Sequence, residues 1–178
     1  MKTQTFNPAV SVKSKGSVIG LASMREYASV FFRTTPDPAG LVLRLGLAAV
    51  MFPHGAQKAL GWFGGPGLQG TLNGLTQYLH IPWLLALAVI AGEFLGAIAL
   101  AAGFFTRLSA FAIGTTMAVA ALQVHLANGF FMNWAGNQKG EGIEFFVLAV
   151  ALSIALVLKG GGRLSLDRLV ARKLEEVK

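Results

Sequence analysis

Four runs of about twenty mainly apolar residues divide most of this chain, and their length constrains its fold more than any other feature. A helix rises about 1.5 Å per residue, so about 20 residues are needed to cross a bilayer core about 30 Å thick. The runs cover residues 39–60, 81–105, 108–127 and 141–158. Composition agrees with lipid as the main solvent. Only 13% of residues are charged and 54% are apolar, where a soluble domain carries about 25% charged residues. Lipid offers the backbone no hydrogen bonds, so each crossing must satisfy its own. The expected fold is therefore all-α, an integral membrane four-helix bundle.

The chain divides into an arm over residues 1–38, a four-span membrane domain over residues 39–160, and a basic tail over residues 161–178. The arm does not read as a signal peptide. Val18–Ala22 is too short for an apolar core, and Arg25, Glu26 and Arg33 interrupt the residues after it. Val18–Phe32 is compatible with a short basic helix on the membrane surface, with Phe31 and Phe32 dipping into lipid. The placement of Lys and Arg sets the orientation. Twelve of these residues lie in the arm, the second-to-third connection and the tail, against Lys58 and Lys139 on the other side. Both termini are thus expected in the cytoplasm, and the chain in the cell inner (plasma) membrane as a multi-pass protein. The net charge of +7 then reflects orientation rather than nucleic-acid binding. The chain has no cysteine, which excludes disulfides, thiolate metal sites, iron–sulfur clusters and a dithiol relay within it. No metal site is expected.

The two outer connections differ in kind. Leu68, Leu72, Leu75 and Leu79 recur at helical spacing among polar residues and predict a short amphipathic helix. Residues 128–140, rich in Gly and Asn, predict a loop able to fold inward as a lid. In the tail, Leu164, Leu166, Leu169 and Val170 alternate with basic residues and predict a surface helix drawn to anionic membrane lipid.

Ionisable groups inside spans are costly unless paired or hydrated, so each is a candidate site residue. Glu93 falls about 18 Å from the outer end of the second span, too deep to reach water, and must face the bundle. Gly92 and Gly96 bracket it in a G-x-x-x-G pattern that permits close helix approach. His54 and Lys58 are four apart, on one face of the first span. Pro53 frees the carbonyl of Ala49 and is expected to bend the helix there. His125 ends the third span, and Glu144 lies one turn into the fourth. Four helices thus send His54, Lys58, His125 and Glu144 to the outer half of the bundle, with Glu93 below and Gly61–Gly67 expected at the mouth. Glu141 is expected just outside, an unremarkable acid at a helix N-terminus. Arg44, a turn inside the opposite end of the first span, either reaches lipid phosphates or pairs toward Glu93.

These residues sit in strings that resemble the DoxX family: LRLGLAAVMFPHGAQKALGWFGG from Leu43, AGEFLGAIALAAGFFTR from Ala91, VHLANGFF from Val124, KGEGIEF from Lys139 and GGGRLSLDRL from Gly160. The resemblance implies a four-helix membrane protein related to the membrane subunit of a thiosulfate:quinone oxidoreductase. It carries over Arg44, His54, Gly55, Lys58, Glu93, Thr106, Arg107, His125 and Glu144 as site positions. Under that reading His54, Glu93 and His125 supply protons to a quinone, while Arg44, Lys58 and Glu144 bind substrate. Lys58 would hold an anion such as thiosulfate. Electrons would come from a soluble redox partner or a second membrane subunit. Two other readings stay open. His54 and His125 would serve as axial ligands of haem b in a bundle. Alternatively, the bundle carries a small solute or protons, or is a scaffold for redox enzymes, with a homo-oligomer supplying the repeat that one chain lacks.

Overall fold

The computed structural model describes residues 27–176. Most of the arm lies outside the described residues, including the first part of the surface helix expected over Val18–Phe32; residues 27–32 are helical. Among the described residues there is no strand. The helices are α1 (Pro38–Leu60), α2 (Gly67–Asn73), α3 (Trp83–Ala102), α4 (Thr106–Ala120), α5 (Glu144–Lys159) and α6 (Leu166–Glu176). A π turn over Ala121–His125 and a 3-10 turn over Leu126–Asn128 prolong α4.

Local chemistry sets most of these ends. Pro38 starts α1, where its missing N–H costs nothing, and the Asp37 carboxylate accepts the Gly40 N–H at 3.1 Å. Gly61 (φ 74) ends α1 and Gly103 (φ 67) ends α3, both in the left-handed region that glycine adopts without strain. The helix α1 continues unbroken through Pro53. The expected amphipathic helix after α1 is α2, extended by a π turn over Gly74–Tyr78, and its Leu72 packs with Ala86 and Ile90 of α3.

Pro38–Leu60, Trp83–Ala102 and Thr106–Asn128 are long and apolar enough to cross a membrane. Large apolar side chains cover their outside, among them Val42, Leu84, Leu95 and Phe111, as lipid-facing surfaces require. Leu47, Met51, Leu100, Ile113 and Leu156 fill the centre. The helix α5 has 16 residues, about 24 Å at 1.5 Å per residue. It starts later than residue 141 because the preceding backbone pairs with the lid instead: Gly142 N–H with Phe131 C=O at 3.2 Å, and Ile143 N–H with Gly129 C=O at 3.1 Å.

The tightest helix contact differs from the one expected. Gly92 and Gly96 face Ala112 and Ile113 of α4 at ordinary van der Waals distance. The backbones meet instead where Gly55 of α1 crosses α3: a Cβ there would stand 2.6 Å from the Phe94 Cα. A G-x-x-x-G pattern marks small residues, but only the fold decides which glycine lies at the crossing point.

At the end of the bundle bearing the described termini, polar side chains close the helix ends onto backbone. Arg44 is buried at 2% exposure. Its guanidinium donates to the carbonyls of Gly161 (3.0 Å), Leu100 (3.0 Å), Ala101 and Leu164 (2.9 Å). The buried Asp167 of α6 accepts the Phe105 and Thr106 N–H groups, both at 2.8 Å, and so caps α4 from the tail. Arg107 donates to the carbonyls of Val157, Leu158 (3.1 Å) and Arg33 (2.9 Å), capping α5. Gly162 (φ 71) lies against Gly40 so closely that a Cβ on Gly40 would stand 2.8 Å from its Cα. Both sequence readings of Arg44 are therefore corrected. It neither reaches for phosphates nor pairs with Glu93, because four carbonyls from α3 and the tail take its donors.

Candidate functional site

The Gly55 crossing brings α1 and α3 close enough for Lys58, nearly one turn further along, to reach Glu93. Glu93 is fully buried, and its Oε2 is ion-paired with the Lys58 Nζ, whose side chain is 32% exposed. A buried carboxylate is costly unless paired, and each of its oxygens seeks a donor. Here only one is served: Glu93 Oε1 has no hydrogen-bond partner among the described residues.

Glu93 and Lys58 border a cavity of about 340 Å³ between α1, α3, the end of α4, the lid and α5. His54 and His125 line it as well. Its remaining wall is soft and apolar, with Met51 and Met117 at the base and Phe145 and Phe146 on the α5 side. Few polar groups converging on an apolar slot is the usual build of a small-molecule site.

The two histidines are held differently. His125 closes the π turn, an irregularity often found at functional sites. Its Nδ1 lies 2.9 Å from the Glu141 carbonyl. A carbonyl only accepts, so Nδ1 carries the proton and Nε2 is the nitrogen left for a ligand. The ring also packs on Phe146, with centroids 4.2 Å apart. His54 stands 6.0 Å from the Phe145 ring centroid and is exposed toward the cavity.

The acids of the lid exchange the places expected of them. Glu144 does not line the cavity; its Oε2 accepts the Met132 N–H at 3.1 Å. Glu141 does line it, and its Oε2 accepts the Asn133 N–H at 2.6 Å. Together they clamp the lid so that Met132 reaches the cavity. The Gly61–Gly67 loop, expected at the mouth, is not part of the lining; Gly65 folds back against Gln57 on α1. Four of the six sequence-predicted residues (His54, Lys58, Glu93 and His125) thus meet in one cavity. Glu144 stands behind it as a lid anchor, and Arg44 is at the other end of the bundle. Sequence reasoning passed over Glu141 and the methionines, and Asp167 at the far end. Glu141 had a signal, since it lies three residues before Glu144 within the same KGEGIEF string.

Among the described residues, no group of three or more His, Cys, Asp or Glu side chains is gathered as a metal site. The family model described as DoxX matches residues 39–126, a stretch that contains Arg44, His54, Lys58, Glu93 and His125. No curated protein and no solved structure matches the chain. The matched stretch carries both the buried arginine staple and the polar half of the cavity, and through it this membrane-type helical chain belongs to the DoxX family.

Proposed function

We propose that this DoxX-family protein is the membrane subunit of an oxidoreductase whose cavity takes the head of a quinone. It sits in the inner membrane with four crossings and both termini in the cytoplasm. The excess of Lys and Arg around the arm and tail supports that orientation. The fourth crossing is α5 together with the lid, whose irregular backbone is tolerated at membrane depth where protein covers it.

The unpartnered Oε1 of buried Glu93, a residue that lines the cavity beside Lys58, carries this reading. Reducing a quinone to a quinol takes two electrons and two protons. The electrons come from a reduced anion such as thiosulfate, handled by a soluble or membrane partner. The protons pass to the two carbonyl oxygens from His54, from Glu93 in its protonated form, or from His125 once its Nε2 has also taken up a proton. Met51, Met117 and Phe146 offer the ring its apolar slot. Lys58 serves an incoming anion only when Glu93 is protonated, because the carboxylate otherwise holds it.

A shared cavity for His54 and His125 also favours, as second reading, a bis-histidine haem b. Phe145 and Phe146 pack beside those imidazoles and line the same cavity. The test is a mild-detergent pull-down of the full chain, then quinone reduction with thiosulfate or sulfite as donor. His54→Ala and Glu93→Gln should each lower the rate about 10²-fold or more. Wild-type rates in both variants would overturn the assignment. A Soret band in the reduced-minus-oxidised spectrum would select the haem reading, and proton uptake into proteoliposomes without any redox donor would select a carrier.

A further inference from the structure

The end of the bundle opposite the cavity carries cations of two kinds. Arg44 and Arg107 are bonded to carbonyls, and Lys159 is paired with Asp37 at 3.1 Å. The guanidinium groups of Arg33, Arg168 and Arg172 engage no hydrogen-bond or ion-pair partner among the described residues. All three line one cleft of about 440 Å³ between residues 29–36 and α6, with Glu175 as the acid on its wall. Arg168 and Arg172 are four apart and share a face of α6.

The cleft has a second lobe. Val30, Arg33 and Thr34 also border a more apolar space lined by Tyr27, Phe31 and Leu158, together with Arg107 and Lys159, whose charges are already engaged. Leu158 is in the last turn of α5, so this lobe lies where the helix leaves lipid. Leu166 and Leu169, 44% and 54% exposed, give α6 an apolar edge as well. The basic lobe matches a phosphate, which guanidinium groups bind in bidentate fashion. The adjoining apolar lobe matches a chain attached to it.

We propose that this two-lobed cleft is a binding site for an anionic phospholipid. The phosphate lies among Arg33, Arg168 and Arg172, and the acyl region lies along Tyr27, Val30 and Phe31. Inorganic phosphate shares the headgroup chemistry but fills only the first lobe.

The full chain, purified in a neutral detergent, is equilibrated with phosphatidylglycerol, phosphatidylcholine or inorganic phosphate. Native mass spectrometry then counts the ligand retained. Phosphatidylglycerol should be retained about ten-fold better than phosphatidylcholine. A cation near an anionic headgroup contributes roughly five-fold in affinity, so R168Q/R172Q should lose about ten-fold or more. R163Q/K173Q removes two cations outside the cleft and should retain the lipid fully. Equal retention of the two lipids, or equal loss in both double variants, overturns the site. Displacement of phosphatidylglycerol by inorganic phosphate at matched concentration overturns the lipid assignment in favour of a small-anion site. Should R168Q/R172Q fail to fold, R33Q on the exposed opposite wall carries the same test, and undiminished retention there overturns the proposal.

Discussion

The two ends of the bundle use nearly the same ingredients to opposite effect. Each buries an acid and engages a cation: Arg44 and Asp167 at one end, Lys58 and Glu93 at the other. Arg44 gives its donors to four carbonyls, and Asp167 receives two backbone N–H groups. Glu93 has a single partner, leaves one oxygen unserved, and borders a cavity with two histidines. A buried charge whose valences are all met holds structure. One with a valence left open has something to offer a ligand, at a cost in stability that the rest of the fold must offset.

Breaking the saturated end should therefore affect stability most. Arg44→Met strands four carbonyls and should cost roughly 3–5 kcal/mol, read as a fall in detergent melting temperature on the order of 10 °C. An unchanged melting point would erase the contrast between the two ends. Next comes the crossing that joins α1 to α3. Gly55→Ala puts a Cβ against the Phe94 backbone and should cost about 1–3 kcal/mol, while moving Lys58 away from Glu93. A crosslink or spin-label distance between α1 and α3 that does not lengthen would refute that link. Glu93→Gln should change stability by about 1 kcal/mol or less, since Lys58 is partly exposed and can turn to water, yet it should abolish most quinone reduction. If its stability loss matches that of Arg44→Met, Glu93 is structural as well.

The smallest effect concerns Asp37, which lies outside the membrane segments. The Gly40 N–H, and then Lys159, hold its carboxyl below the usual carboxylate range. The folded form therefore releases this proton more readily than the unfolded chain. Its contribution is fully present above about pH 3.9 and fades as pH falls through the lowered folded value. Asp37→Asn should lower the neutral melting temperature slightly and flatten its fall below about pH 4, where the wild-type contribution is lost.

The sequence made the cavity more legible than the staple. His54, Lys58, Glu93 and His125 are visible because ionisable residues are expensive in spans, and helical spacing gives each a depth and a face. Arg44 was equally visible as an anomaly, but not its partners: they are backbone carbonyls, which have no side-chain signature, and one pair lies more than a hundred residues away. Glu141 and Glu144 exchanged places because neither sits on a regular helix face facing the cavity. Lid pairing delays the start of α5, and a π turn alters the phase in which α4 arrives. The Gly55 crossing eluded the motif because every small residue in a span looks alike until its neighbour's backbone is known.

The reach of Arg44 also imposes an order on assembly. Its bonds to Gly161 and Leu164 span 117 and 120 residues, so the first membrane helix emerges from the ribosome long before its guanidinium has those acceptors. Until the tail is made, that charge must stay hydrated at the membrane edge, where a turn's depth permits it. The tail, made after the spans, then serves as a latch. The contacts of Asp167 with the start of α4, of Gly162 with Gly40 and of Arg44 with the tail carbonyls all require it. A ribosome stalled before residue 161 would present a bundle with its helices inserted but its base unlocked. Loss of trypsin access at Arg44 itself would report the instant of closure.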